Sequence, residues 1–187
     1  MQFLKKYNNI KNFRFNSFEF ALNEAAKRNH KVIVETGVAR GKIKFFIFTK
    51  INWKDGMSTM MFSDYARYHN GELYSCDISQ KNVDSAKKFT KQNKEFVSFF
   101  TEDSLSFLEN FNKNIDFLYL DSLDGQFKEA SLHQLNEIKN SIDKLKEGSL
   151  VLLDDKGAKT NLSIDYMLKN NFKIINETRE QVLLSYK

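Results

Sequence analysis

Residues 32–41 read Val32-Ile33-Val34-Glu35-Thr36-Gly37-Val38-Ala39-Arg40-Gly41. Three β-branched residues in succession ask for a strand covered on both faces. The acidic residue and the glycines behind them end it in a loop whose main chain a ligand can approach closely. No Lys-Ser/Thr pair closes this loop, so it is not a phosphate-binding P-loop, and the full GxGxxG spacing of dinucleotide sites is missing. A carboxylate at the strand end would repel a pyrophosphate and suits a cationic ligand.

The pattern recurs downstream. Leu73-Tyr74-Ser75-Cys76 ends at Asp77, residues 96–100 end at Thr101-Glu102-Asp103, residues 115–120 end at Asp121, and residues 150–153 end at Asp154-Asp155. Helical spacing fills the gaps: residues 17–29, 57–69, a helix capped by Ser79 and running to Asn93, and a shorter one capped by Ser104. The clearest helix covers residues 126–145, with Leu132, Leu135, Ile138, Ile142 and Leu145 three or four apart. A helix over 160–170 precedes strands at 172–175 and 181–186, joined by a turn too short for a parallel crossover. Alternating strands and helices predict an α/β, doubly wound, Rossmann-like and mostly parallel sheet that ends in an antiparallel C-terminal hairpin.

Bulk composition narrows the class. The chain has 187 residues, 41% hydrophobic and 28% charged, which fits one globular domain, 1–187, with an arm at 1–16. It has no proline, so every tight turn falls to Gly, Asn, Asp or Ser. Cys76 stands alone, which excludes a disulfide framework and a cysteine-rich zinc site and fits a reducing cytoplasm. No apolar run approaches the roughly 20 residues that span a bilayer, and the N-terminus lacks the apolar core of a signal peptide. The net charge of +5 is spread over mixed acids and bases, which reads as a solvated surface; no aromatic-basic stacking pattern points to nucleic acid.

Ligands of such sheets bind outside the carboxyl ends of the strands. Glu35, Asp77, Asp103, Asp121 and the pair Asp154-Asp155 all stand at that edge. A carboxylate at Asp77 can accept both hydroxyls of a ribose. Ile78 can cover an adenine face, and Asp103 and Ser104 can bond its edge.

These motifs resemble, in order, those of the class I S-adenosylmethionine-dependent methyltransferases. Residues 35–41 resemble the first, cofactor-binding motif, residues 71–78 the ribose-binding one, residues 101–104 the adenine position and residues 116–121 the fourth motif. The resemblance covers about residues 30–187. It implies a seven-stranded sheet with a reversed last strand, and S-adenosylmethionine held by Glu35, Gly37, Ala39, Gly41, Ser58, Asp77, Ile78, Asp103, Ser104 and Asp121. Ala39 stands where many members carry a second glycine. Residues 42–55, with Phe45, Phe46, Phe48 and Trp53, form an insertion before the helix that Ser58 or Thr59 begins. This insertion is read either as a lid or substrate wall, or as ordinary packing.

Within the class, Asp121 with Asp154 and Asp155 looks most like the metal-dependent O-methyltransferases of the macrocin and catechol type. Oxygen ligands on neighbouring strand ends suit Mg²⁺; the other reading is that Asp154-Asp155 caps the helix that follows. Asp121, Asp124 and His133 are the candidate catalytic residues, with His133 placed by spacing opposite Leu132 and Leu135. The expected activity is O-methylation of a small-molecule hydroxyl on a sugar, phenol or natural product. An RNA or protein methyltransferase and a non-catalytic cofactor-binding protein are the alternatives, and oligomeric state is open.

Overall fold

The computed structural model describes residues 1–45 and 48–187, with side chains throughout except at 42–50. Among the described residues nine strands follow in chain order: β1 (Val32–Thr36), β2 (Lys42–Phe45), β3 (Phe48–Ile51), β4 (Glu72–Asp77), β5 (Val97–Thr101), β6 (Ile115–Leu120), β7 (Leu145–Leu153), β8 (Phe172–Glu177) and β9 (Val182–Tyr186). Six helices accompany them: α1 (Phe15–Lys27), α2 (Ser58–His69), α3 (Gln80–Phe89), α4 (Ser104–Asn110), α5 (Ala130–Ser141) and α6 (Asn161–Lys169). Seven strands form one sheet in the order β5-β4-β1-β6-β7-β9-β8, while β2 and β3 pair separately. β9 runs antiparallel to both β7 and β8, as the short final turn requires.

The apolar strand runs follow from burial on both faces. Successive side chains point to opposite sides of a strand. Ile33, Phe117, Tyr119, Leu150 and Leu152 therefore pack under α1 and α2, and Val34, Leu118, Leu120, Val151 and Leu153 pack against α4, α5 and α6. Phe18, Phe62, Phe117 and Tyr119 meet edge-on beneath α1 and α2, a geometry aromatic rings favour. The N-terminal arm joins this core: Leu4 and Tyr7 are buried, and the Tyr7 hydroxyl donates to Asp64 Oδ2 at 2.6 Å. Among the described residues, no helix is long and apolar enough to cross a membrane.

The long helix differs from its expected form. It spans Ala130–Ser141 rather than 126–145, and a 3-10 turn over Ile142–Lys144 leads into β7, which begins at Leu145. Its inward face carries Gln134, Glu137, Ile138 and Ser141, while Leu132 is 54% exposed. Apolar spacing placed Ile138 inside but missed that Gln134 and Glu137 are buried beside it, the first bonded to the Asp154 carbonyl and the second to Ser122. Asp103, not Ser104, caps α4, accepting from the main-chain nitrogens of Leu105 and Ser106.

The chain leaves β1 for β4 and β5 on one side and returns to β6 and β7 on the other. The direction of winding therefore reverses between β1 and β6, the place where an open α/β sheet offers a crevice.

Candidate active site

Gly37 closes β1 at that reversal. Its φ of +82° lies in the left-handed region, and an added Cβ would sit 2.1 Å from the main-chain oxygen of Asp121. Only glycine permits both the turn and the contact. The Gly37 nitrogen donates to Cys76 O at 2.8 Å and the Asp121 nitrogen to Thr36 O at 2.9 Å, so the ends of β1, β4 and β6 are fastened together.

Beside them lies a cavity of about 170 Å³ whose lining includes Gly37, Asp77, Ile78, Ser104, Ser122 and His133. Asp77, the last residue of β4, is fixed from three sides. Its Oδ2 accepts from the Val38 nitrogen at 3.2 Å, its Oδ1 from the Ser79 nitrogen at 2.7 Å, and Asn82 Nδ2 lies 3.2 Å from both oxygens. Ile78, 76% exposed, offers an apolar surface on the cavity wall. Asp103 also lines the cavity, with one oxygen spent on its cap. Cys76 is buried, which pushes its thiol up to about 12 and leaves it unreactive.

Glu35, Ala39 and Ser58 are not among the residues that line this cavity. Glu35 is fully buried; Ser58 Oγ and Ser75 Oγ each donate to one of its oxygens at 2.5 Å. Burial raises its carboxyl to about 7 against the pull of these hydroxyls. Ser58 and Glu35 thus tie the first turn of α2 to β1. The Ala39 nitrogen donates to Thr59 Oγ1 at 2.8 Å, a second tie between loop and helix. Gly41, also in the left-handed region, packs against Met60 and Phe89.

His133 reaches the Asp103 side of the cavity. Its Nε2 lies 3.0 Å from Ser104 Oγ and 3.1 Å from Ser122 Oγ, while Ser122 Oγ lies 2.8 Å from Glu137 Oε1. Ser122 has one proton, and the buried Glu137 carboxylate takes it. The second contact then requires that Nε2 carry the imidazole proton, which it shares between the two serines. The Ser104 hydroxyl proton is left free to donate into the cavity. Ser122, in the loop after β6, Glu137, on the inward face of α5, and Asn82, on α3, escaped sequence reasoning because none carries a motif of its own.

The acids of β6 and β7 gather a short way off. Oxygens of Asp121, Asp154 and Asp155 lie within 4.8 Å of one another. Two basic side chains already hold them. Arg14 Nε lies 2.7 and 2.9 Å from the two oxygens of Asp154, and Arg14 NH2 lies 3.0 Å from Asp155 Oδ1. Lys159 Nζ lies 2.9 Å from Asp121 Oδ1 and 3.3 Å from Asp155 Oδ2. Burial and the Asp154 carboxylate push the Asp121 carboxyl up, and Lys159 pulls against them. Asp154 is completely buried. As arranged, the cluster does not fit Mg²⁺, which needs near-octahedral oxygen ligands at about 2.1 Å and keeps several waters. Nor does Asp154-Asp155 cap α6, whose N-cap is Thr160. Asp124 is exposed, in the loop between β6 and α5.

The expected insertion contains the β2–β3 hairpin, which is tied to the glycine loop: Asn52 N donates to Gly41 O at 3.0 Å, and Arg40 N donates to Asp55 Oδ2 at 2.6 Å. Phe46, and the side chains of Phe45 and Phe48, lie outside the described residues. Trp53 lines a separate cavity of about 230 Å³ with Tyr7, Met57, Met60 and Asp64.

Residues 53–156 match the family model described as a methyltransferase domain, more than half of the chain, and the chain belongs to that family. Its fold is that of the class I S-adenosylmethionine-dependent methyltransferases. Among similar solved structures is the O-methyltransferase NovP, at 14% identity, covering 96% of this chain and 81% of that one with a TM-score of 0.66. The S-adenosylhomocysteine-bound methyltransferase PaMTH1 of Podospora anserina has 13% identity, covers 90% and 76%, and gives 0.65. An rRNA methylase from Streptococcus thermophilus has 10% identity, covers 89% and 94%, and gives 0.62. No curated protein matches the sequence.

Proposed function

We propose that the chain is a methyltransferase that binds S-adenosylmethionine in the cavity beside Gly37 and transfers its methyl group to a hydroxyl of a small molecule. The observation that carries this is the Asp77 carboxylate, clamped at the cavity floor between Val38, Ser79 and Asn82, where a ribose diol would meet it. Ile78 would cover one adenine face, and the free Ser104 proton would meet a ring nitrogen. The methionine end would then run past Gly37 toward Asp121. PaMTH1 was solved with S-adenosylhomocysteine, which supports a cofactor of this kind on this fold.

Methyl transfer needs the acceptor oxygen, the methyl carbon and the sulfonium in line. Asp121 is the side chain best placed to orient the acceptor. Its Oδ1 is held by Lys159 and its Oδ2 by the Tyr119 hydroxyl at 3.2 Å, yet its side chain keeps 31% exposure, enough to accept a bond from an incoming hydroxyl. Asp124, exposed nearby, can relay the released proton to solvent. The likeness to NovP supports an oxygen acceptor. On this proposal the whole chain works as one domain, with residues 42–55 as a wall beside the loop.

A second reading, an RNA acceptor, draws on the net charge of +5 and on the likeness to an rRNA methylase. Incubation with methyl-labelled cofactor and two acceptor sets, phenols and sugars against rRNA fragments, separates them. Label on the small molecules supports the first reading, and label on RNA alone overturns it.

A further inference from the structure

The cations on the acidic cluster are part of its construction. Lys159 is 2% exposed, and its ammonium meets three acceptors: Asp121 Oδ1 at 2.9 Å, Leu123 O at 3.0 Å and Asp155 Oδ2 at 3.3 Å. An ammonium has three protons, so this coordination is complete. The local chain makes it so. Asp155 adopts a left-handed conformation, φ 53°, and the Lys159 nitrogen donates to Asp155 O at 3.2 Å, closing a turn that folds Lys159 back over the acids. From the other side Arg14, on the residue before α1, takes both oxygens of Asp154 and one of Asp155.

Every carboxylate oxygen of the three acids therefore has a protein donor. Three carboxyl groups thus share two cations, the Arg14 guanidinium and the Lys159 ammonium. A divalent cation would have to displace the ammonium, since both want the same oxygens of Asp121 and Asp155 and repel each other at that distance. We propose that the Lys159 ammonium is a built-in cation standing where a divalent metal would bind between Asp121 and Asp155, so that this site works without metal and becomes a metal site only when Lys159 is removed. The proposal is independent of which cofactor or acceptor the protein takes.

The test is an Mn²⁺ titration followed by electron paramagnetic resonance, on the full chain after dialysis against a chelator. Wild type and Lys159→Arg should show no saturable site. Lys159→Met, which keeps the apolar stem, should gain one, and adding Asp121→Asn should abolish it. Saturable Mn²⁺ binding by wild type that Asp121→Asn removes would overturn the proposal, whether or not Lys159→Met folds. A Lys159→Met protein that folds, by its circular dichroism, yet stays free of Mn²⁺ would overturn it equally.

Discussion

Gly37 and Asp121 touch main chain to main chain, with no room for a methyl group between them. This contact joins β1 to β6 at the sheet's reversal, and it sets how far the cavity beside Asp77 lies from the acids at β6 and β7. Gly37→Ala combines a strained positive φ with a clash against backbone that cannot rotate away. We expect a loss of about 3 kcal/mol in urea unfolding. A midpoint equal to wild type would show that the strand ends part easily.

Glu35 makes stability depend on pH. Its folded carboxyl titrates at about 7, above its ordinary 4.5. Between those values the folded state holds a proton that the unfolded state has lost, so stability falls as pH rises from 4.5 to 7 and is level above. The full effect of this group is about 3 kcal/mol. Glu35→Gln cannot ionise, and the difference between wild type and Glu35→Gln should change over that window. Parallel stability curves would mean the carboxyl titrates normally.

Asp77→Ala removes the proposed ribose acceptor while leaving β4 buried and paired. We expect S-adenosylhomocysteine affinity to drop about 10- to 100-fold with the thermal midpoint little changed. Equal affinity would remove Asp77 from the site.

His133 distinguishes a cofactor contact from a base. In the proposed cofactor pose its Ser104 contact puts it at the adenine end, so His133→Ala should raise KM for the cofactor about tenfold and leave kcat and its pH profile nearly unchanged. A collapse of kcat with KM unaltered would make it the base instead.

The strands and their acidic ends were legible because burial on both faces writes itself as short apolar runs, and the topology followed from the alternation. Asp77, Ile78, Asp103 and Ser104 come together as their positions at strand ends implied. The inner face of α5 was legible only in part: Ile138 is buried as its spacing implied, but Gln134 and Glu137 are buried beside it while Leu132 is exposed, because polar side chains on that face bond to the Asp154 carbonyl and to Ser122. The acids of β6 and β7 were found, but their partners were not. Arg14 is remote in sequence, and Lys159 reaches the cluster only through the left-handed turn at Asp155. Glu35 was legible as an acid at a strand end, but the sequence does not reveal that Ser58 and Ser75 enclose it.

The central claim is that the cavity beside Gly37 and Asp77 is a cofactor site. Calorimetric titration of the wild-type chain with S-adenosylhomocysteine tests it most directly. We expect saturable one-to-one binding at micromolar concentrations. No binding at millimolar ligand, in protein shown to be folded, would contradict it.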